Sequence, residues 1–398
     1  MDTSFSKRSQ FVKASEIREL LKLTEQKGLI SFAGGLPAME LFPVNELVDI
    51  CTKVLLEKGG AALQYSATEG IVALREQLAK LMQQAGITVN ADQVLVTTGS
   101  QQVLDLAGKV FLDEGDVIFC ESPTYLAAIS SFNAYLPKFI EIETDSEGIV
   151  PENLLLRLQE FGKPKFLYVI PDYQNPSGRS MSIDRRKTLI EIANTYDFII
   201  IEDNPYGEVS FETSKKPTLK SLDTDGRVIY TSSLSKTFSP GLRLGWVTAT
   251  DIILRKFILF KQGADLHTNT LAQMIAAEYL NSYDYPRHLQ KIRATYKLRR
   301  NAMCKALNLY LPQVKFIKPE GGIFLWGELP EQINSCTFLE HCIEKKVAFV
   351  PGGSFFPEKR QENTMRLNFS FMSEETITDG VFRMGEAYME MQESLLLK

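Results

Sequence analysis

The sequence predicts an α/β protein in which a mostly parallel sheet lies between layers of helices and a smaller α+β region follows. Two observations carry this prediction. Short runs rich in valine and isoleucine alternate with segments of helical periodicity through the first two thirds of the chain. These runs are almost entirely apolar, which is typical of strands buried on both faces of a sheet.

Six short apolar runs are predicted to form the strands of this sheet. In chain order they are VLVTT (94–98), VIFC (117–120), KFLYVIP (165–171), FIIIED (198–203), VIYTSS (228–233) and WVTAT (246–250). Helical periodicity is present at 46–57, 70–85, 101–111 and 183–195, and a further helix is predicted at 14–25. This alternation of strands and helices is the pattern of a parallel sheet.

The pattern changes after about residue 268. A long helical region extends to about residue 310, and the strand-like runs VKFIKP, GGIFLWGEL, VAFVPG and TMRLNFSF follow before a last helix near 374–393. We therefore expect an N-terminal arm (1–45) that packs with the small domain, a large domain (46–285) and a small C-terminal domain (286–398).

Composition excludes several classes of protein. The chain has 398 residues, of which 44% are hydrophobic and 23% charged, as expected for a globular protein of two domains. Its net charge of −5 argues against a nucleic-acid-binding surface. There is no signal-like or membrane-length apolar run, so we predict a cytoplasmic protein without a membrane partner. Five widely spaced cysteines and three histidines predict free thiols and no metal site.

Five polar loops each follow a predicted strand directly. They are GSQ, ESPTY, DYQNPSG, EDNPYG and SSLSK. Because open α/β sheets bind their ligands beyond the carboxyl ends of the strands, we expect these loops to build a single site.

The loop SSLSK carries Lys236, and a buried lysine is suited to attack carbonyl groups because burial lowers its pKa. A lone lysine after a strand is more often a solvated surface residue. The neighbouring residues therefore determine whether Lys236 is predicted to have a functional role. Arg243 offers a bidentate partner for a phosphate. The turn Gly99–Gln101 opens a helix, whose N-terminus favours phosphate, although this turn taken alone is better explained by Ser100 as a simple N-cap.

The other loops supply complementary groups. Asp203 ends a very apolar run, where a carboxylate needs a cationic partner such as a protonated ring nitrogen. Asn175 and Tyr206 can donate to a phenolic oxygen, and Tyr125 offers a flat aromatic face. A phosphate, a pyridinium nitrogen, a phenolic oxygen, an aromatic ring and an aldehyde are all present in pyridoxal 5′-phosphate (PLP).

Seven motifs occur in one order along nearly the whole chain: YSATEG, TTGSQQ, SPTY, YQNPSG, EDNPYG, SLSKTFSPGLRLGW and MRLNF. In these motifs and their spacing the sequence resembles the fold-type I PLP enzymes of the class I/II aminotransferase family. The segments ISFAGGLP and LQYSATEG resemble most the branch that contains 2-aminoadipate, kynurenine and some aromatic aminotransferases. The resemblance implies the fold-type I architecture, with PLP bound in the large domain.

The resemblance also implies a role for each matching residue. Lys236 resembles the Schiff-base lysine, Asp203 the partner of the pyridine nitrogen, and Tyr125 the ring that stacks on the cofactor. Asn175 and Tyr206 are similar to the residues that donate to O3′, and the bond matching Asn175–Pro176 is cis in many members. The contacts to the cofactor phosphate that the resemblance implies are Gly99, Ser100, Gln101, Ser233, Ser235 and Arg243.

Substrate contacts follow from the same resemblance. Arg366 in MRLNF resembles the arginine that binds the α-carboxylate, with Asn175, Gly34 and Gly35 on the substrate side. Tyr65 resembles a tyrosine that reaches the neighbouring subunit's phosphate, which implies a homodimer with shared active sites. Arg18 either meets an acidic substrate side chain or is a surface arginine.

The implied activity is transfer of an amino group between an L-amino acid and a 2-oxo acid, with glutamate and 2-oxoglutarate as one pair. The other partner is 2-aminoadipate, an aromatic amino acid or a range of aliphatic ones. A PLP-dependent lyase or decarboxylase would share Lys236 and Asp203 and is the main alternative. A ligand-sensing regulator is a weaker one, because no basic recognition helix precedes the aminotransferase-like segment.

Overall fold

A computed structural model describes residues 5–10, 28–212, 215–358 and 360–396. The helix predicted at 14–25, and with it Arg18, lies outside the described residues. Within the described parts of the chain, every helix is too short or too polar to span a bilayer.

The described residues form fourteen strands. In chain order, β1 to β14 are Ile30–Ser31, Leu95–Thr97, Val117–Ser122, Lys138–Asp145, Gly148–Ile149, Phe166–Val169, Ile199–Asp203, Val228–Ser233, Gly245–Thr248, Lys315–Phe316, Phe324–Glu328, Val347–Ala348, Val350–Pro351 and Thr364–Asn368. Eight of them make the central sheet, in the order β2-β9-β8-β7-β6-β3-β4-β5. The predicted fold class, with a mostly parallel central sheet and an α+β C-terminal region, is confirmed.

Twelve α-helices are found in the same described residues. In chain order, α1 to α12 are Val44–Ala62, Val72–Gln84, Ser100–Phe111, Leu126–Asn133, Pro151–Phe161, Ile183–Tyr196, Leu219–Leu222, Asp251–Gln262, Thr270–Ser282, Tyr285–Tyr310, Ser335–Glu344 and Glu374–Leu396.

Strand direction brings the polar loops to one edge of the central sheet. Strands β3, β6, β7 and β8 are parallel neighbours. Strand β9 is antiparallel to both β8 and β2, so β2 runs in the same direction as β8. The carboxyl ends of these five parallel strands, and the amino end of β9, therefore meet at the same edge.

Alternating burial explains why these strands read as continuous apolar runs. In β7, Ile201 packs into a core cluster with Ile229 of β8, while Ile200 packs into the cluster on the opposite face with Val228. Burying an aliphatic side chain of this kind stabilises the fold by about 1.5–3 kcal/mol. Both faces are covered, so polar residues are confined to the strand ends.

The sequence missed β4 and β5, and β9 is shorter than predicted. Strand β4 carries glutamates at alternate positions, which interrupts the apolar pattern. One of them, Glu141, is nevertheless buried and accepts a hydrogen bond from Ser122 Oγ at 2.6 Å. A polar residue whose partner lies on another strand cannot be recognised from local pattern alone.

The C-terminal region has its own antiparallel sheet, in the order β10-β11-β14-β13, and the parallel pair β1-β12. Ile30 and Ser31 of β1 pair with Val347 and Ala348, so the chain near residue 30 contacts the C-terminal region. This contact agrees with an N-terminal arm that packs there, although the domain boundaries themselves remain a prediction.

Arg186, which is completely buried in α6, joins two loops at the functional edge. It donates to Asp172 Oδ1 at 2.5 Å and to the carbonyl oxygens of Pro171 and Pro217 at 3.0 and 2.9 Å. Asp172 Oδ2 accepts a further bond of 2.9 Å from Asn204. The loops that follow β6 and β7 are thus fixed to each other through one buried ion pair.

We expect Arg186→Met to lower the free energy of unfolding by about 3–5 kcal/mol, because it leaves the buried Asp172 carboxylate without its cation. The measurement is a urea-unfolding curve, with Lys187→Met on the exposed side of the same helix as the matched control. Equal unfolding midpoints for the two variants would contradict this account.

Candidate active site

A cavity of about 300 Å³ opens at the edge of the sheet where the five loops meet. Twelve of the residues that the sequence singled out line it: Gly35, Ser100, Gln101, Tyr125, Asn175, Asp203, Tyr206, Ser233, Ser235, Lys236, Arg243 and Arg366. Its remaining walls, which the sequence did not predict, are Leu126, Ala127, Ile170, Pro205, Pro240 and Phe324.

Three other predicted residues lie outside the cavity lining. Gly34 is buried beside Gly35, and Gly99 is buried behind the cavity at the start of α3. Tyr65 is 78% exposed, and the centroid of its ring lies 5.8 Å from that of His267 in an edge-on arrangement. Tyr65 does not line this chain's own cavity.

Lys236 lies in the turn after β8, and its side chain crosses to the N-terminal loop. Its Nζ donates to the carbonyl oxygen of Gly35 at 2.7 Å. Burial lowers the pKa of Lys236 to about 8, and the positive charges of Arg366 and Arg243 add to the shift. About half of the amine is therefore in its neutral, nucleophilic form near pH 8.

Asp203 is the last residue of β7 and is almost completely buried. Its Oδ2 accepts a hydrogen bond of 2.8 Å from the Tyr168 hydroxyl, whereas its Oδ1 is buried without a partner. Burial raises the pKa of Asp203 to about 7, and the bond from Tyr168 opposes that rise. The carboxylate thus has one free acceptor atom.

Arg366 in β14 is brought to the cavity by the C-terminal sheet. It donates to Asn175 Oδ1 and to the carbonyl oxygen of Ala33, each at 2.8 Å, and its guanidinium lies 4.1 Å from the ring centroid of Phe324. Burial lowers the pKa of Arg366 to about 10. Among the described residues, no carboxylate forms an ion pair with it.

Asn175, which accepts a hydrogen bond from Arg366, also interacts with Tyr206. Burial raises the pKa of the Tyr206 hydroxyl above its ordinary value, and the Asn175 side chain opposes that rise. The Asn175–Pro176 peptide bond is cis, as the family resemblance implied. Burial also raises the pKa of Tyr125, and the negative charge of Asp203 adds to this shift.

The opposite end of the cavity is built to hold an anion. Gly99 has a φ of +75°, and a Cβ there would lie 2.5 Å from Arg243 Nη2, so only glycine admits the guanidinium. A Cβ on Gly245 would similarly lie 2.6 Å from Ser100 N. Ser233 Oγ hydrogen-bonds Ser235 Oγ at 2.8 Å beside this corner. A guanidinium, hydroxyl groups and a helix N-terminus thus converge at one place.

Comparison with known proteins decides the family. The model of the family Aminotransferase class I and II matches residues 38–383. The chain belongs to this family. It is therefore a PLP-dependent aminotransferase, which moves an amino group between an amino acid and a 2-oxo acid.

Three relatives illustrate the similarity of this aminotransferase to known proteins. It is 47% identical to aromatic-amino-acid aminotransferase 1 of Thermococcus litoralis, over 97% of this chain and 94% of that protein. It is 41% identical to 2-aminoadipate transaminase of Thermus thermophilus, over 96% of each. The crystal structure of Pyrococcus horikoshii kynurenine aminotransferase with PMP superposes with a TM-score of 0.93, at 44% identity and 97% coverage of both chains.

The residues of the aminotransferase cavity fit PLP. The free Asp203 Oδ1 is the acceptor that a protonated ring nitrogen requires. The end of the cavity formed by Arg243, Ser233, Ser235 and the N-terminus of α3 suits a phosphate dianion. Arg366 Nε is likewise buried without a partner and can donate to a carboxylate. The described residues contain no cluster of three or more histidine, cysteine or acidic side chains that could hold a metal ion.

A buried cation without a carboxylate partner carries a desolvation cost, so Arg366→Met is expected to raise the melting temperature of the cofactor-free protein. Arg299→Met is the control, because Arg299 is also buried but is paired with Glu40 and donates to the Ser370 carbonyl oxygen. That variant is expected to melt at a lower temperature. If thermal unfolding shows that both variants lower the melting temperature by a comparable amount, the desolvation cost assigned to Arg366 is refuted.

Proposed function

We propose that this aminotransferase uses aromatic L-amino acids as donors and 2-oxoglutarate as the acceptor, with the residues of the described cavity as its machinery. One observation carries the proposal. The half-buried Lys236 and the buried Asp203 and Arg366 line a single cavity with Tyr125 and Phe324, so a nucleophile, a cofactor anchor, a carboxylate anchor and aromatic walls are adjacent.

Lys236 is proposed as both the covalent anchor and the proton carrier. When bound, PLP supplies an electron sink that stabilises negative charge on the substrate α-carbon. The Lys236 amine would hold the cofactor through its aldehyde carbon and, once free, would take the proton from the substrate α-carbon as a general base. Its pKa of about 8 suits a base that works near neutral pH.

The remaining polar groups are proposed to hold the cofactor and the substrate in register. Asp203 Oδ1 accepts from the ring nitrogen, while Asn175 and Tyr206 donate to the phenolic oxygen. Tyr125 covers one face of the ring. The phosphate is bound by the turn Gly99–Gln101 together with Ser233, Ser235 and Arg243.

Arg366 is proposed to bind the α-carboxylate that every substrate shares. Its guanidinium is held in place by Asn175 and Ala33 and by the rings of Phe324 and Phe355, at 4.1 and 5.0 Å. A planar guanidinium pairs with a carboxylate through two parallel hydrogen bonds, which also fixes the orientation of the α-carbon.

The cavity walls support aromatic donors. Leu126, Ile170 and Phe324 line it, and its arginines already have proposed partners, Arg243 with the phosphate and Arg366 with the α-carboxylate. The relatives are named for aromatic amino acids, kynurenine and 2-aminoadipate. Acidic partners, including 2-oxoglutarate, are proposed to meet Arg18, which lies outside the described residues.

A homodimer with shared active sites is proposed from the exposed apolar surface. Leu56, Leu63 and Tyr65 are 82%, 75% and 78% exposed, and large exposed apolar side chains on neighbouring elements mark protein interfaces. Tyr65 would then reach the partner's phosphate. A cytoplasmic location is proposed as well, since no disulfide bond joins the cysteines of the described residues.

The proposed function predicts a specific pattern in single-turnover reactions of the PLP form. Phenylalanine, tyrosine and kynurenine should discharge the visible band of the lysine-bound cofactor faster than leucine or methionine. Glutamate and 2-aminoadipate should also react, and Arg18→Gln should slow these two selectively.

Lys236→Ala should abolish the band and turnover, whereas Lys256→Ala, at an exposed lysine, should not. Normal turnover in Lys236→Ala, or no reaction with any aromatic donor, would refute the proposal.

The depressed pKa of Lys236 predicts how the cofactor-free enzyme captures PLP. The neutral amine fraction rises about tenfold per pH unit below the pKa, so the rate of band formation should level off near pH 8 rather than near the ordinary lysine value of about 10.4. Arg366→Met removes a positive charge that contributes to the shift and should move the midpoint to higher pH. A wild-type midpoint near pH 10 would contradict the assignment.

A further inference from the structure

Tyr168 is the only described residue whose side chain hydrogen-bonds Asp203. It lies in β6 directly opposite Ile201 of β7. Asp203 is two residues further along β7, so its side chain is on the same face of the sheet as Tyr168. The hydroxyl of Tyr168 donates to Asp203 Oδ2 at 2.8 Å. Sheet register therefore creates this contact between residues 35 positions apart.

Burial and ring packing hold the side chain of Tyr168 in place. The residue is completely buried, and its ring packs edge-on against Phe132 at a centroid distance of 5.8 Å. A buried hydroxyl held in this way cannot turn to water, so its proton is directed at Asp203. The bond occupies Oδ2 and leaves Oδ1, which has no described partner, as the acceptor for a ligand.

We propose that Tyr168 is a positioning residue that keeps a shared proton on the ring nitrogen of the bound cofactor instead of on Asp203. This inference rests on the proposed role of Asp203. In a dry site, the proton between a carboxylate and a pyridine nitrogen can reside on either atom. A carboxylate that already accepts an O–H bond has a lower affinity for that proton, so the donor on Oδ2 favours the carboxylate–pyridinium form.

The pKa of Asp203 agrees with this role. Burial raises the pKa of Asp203 to about 7, and the hydrogen bond from Tyr168 is the contribution that lowers it. Without that bond, Asp203 would be a stronger base and would compete better for the proton of the ring. A cofactor without its ring proton is a weaker electron sink, so turnover should fall.

The test compares the protonation of the ring nitrogen in four holoenzymes loaded with ¹⁵N-labelled PLP. They are wild type, Tyr168→Phe, Asp203→Asn and Tyr173→Phe. Tyr173 is the matched control, since it is a buried tyrosine whose hydroxyl makes a bond of the same length, 2.8 Å, to Ser210. The ¹⁵N chemical shift separates protonated from unprotonated rings, and kcat and KM are measured in parallel.

We expect a protonated ring in wild type and Tyr173→Phe, and an unprotonated ring in Asp203→Asn. Tyr168→Phe should move the shift towards the unprotonated value. Its kcat should fall about tenfold, which is the typical effect of a hydrogen bond to a charged group. The KM for the amino donor should stay unchanged, because Arg366 is untouched.

Each outcome separates the two proposals. A wild-type ¹⁵N shift in Tyr168→Phe, with the ring unprotonated in Asp203→Asn, would overturn the role of Tyr168 alone. A wild-type shift in Asp203→Asn would instead overturn the proposed role of Asp203. Tyr168→Leu, which also removes the donor, is the second variant should Tyr168→Phe fail to fold, and the same shift is expected from it.

Discussion

The arrangement of this aminotransferase depends on desolvation of charge at one edge of the sheet. Asp203 and Arg366 are buried, Lys236 is half-buried, and in the described parts of the chain none of them forms an ion pair. Burial is the largest cause that lowers the pKa of the lysine to about 8, to which the charges of Arg366 and Arg243 add, and burial raises the pKa of the aspartate to about 7. A ligand that supplies opposite charges stabilises such unpaired groups most strongly. A cofactor with a phosphate and a protonated ring nitrogen is a ligand of this kind.

Such a site requires a rigid frame, and the frame is built from buried polar groups that are satisfied. Lys261, completely buried in α8, donates to Gln102 Oε1 at 3.0 Å and to Asp265 Oδ1 at 2.7 Å. Gln102 Oε1 also accepts from Thr98 N at 2.9 Å, immediately before the glycine turn that opens α3. The anion corner is thus supported from behind, as the Arg186–Asp172 pair supports the loops after β6 and β7.

The sequence predicts those parts of the molecule that depend on local pattern. Strands buried on both faces read as apolar runs, and a carboxylate such as Asp203 at the end of one is conspicuous. Tyr168 was missed because a tyrosine within FLYV reads as core, and only the pairing with β7 directs its hydroxyl to a carboxylate. Phe324 was missed for a similar reason, because the sequence of β11 is typical of a core strand. The position of Phe324 in the cavity wall depends on how the C-terminal sheet packs against the central sheet.

The loop from Ala33 to Ala38 shows how the parts of the site are made interdependent. Four backbone groups of this loop bond to side chains from β14 and the turn after it, from the turn after β8 and from α10. Arg366 donates to Ala33 O, Lys236 to Gly35 O and Ser370 to Leu36 O, while Tyr296 accepts from Ala38 N. Two of these side chains are the proposed carboxylate anchor and the proposed catalytic amine. If Lys236 attaches to the cofactor as proposed, its nitrogen would be drawn towards the cofactor aldehyde and its bond to Gly35 O would change, which would alter one of the four supports of the substrate-side loop. The cofactor-free and loaded enzymes are then expected to differ at the wall that the substrate meets.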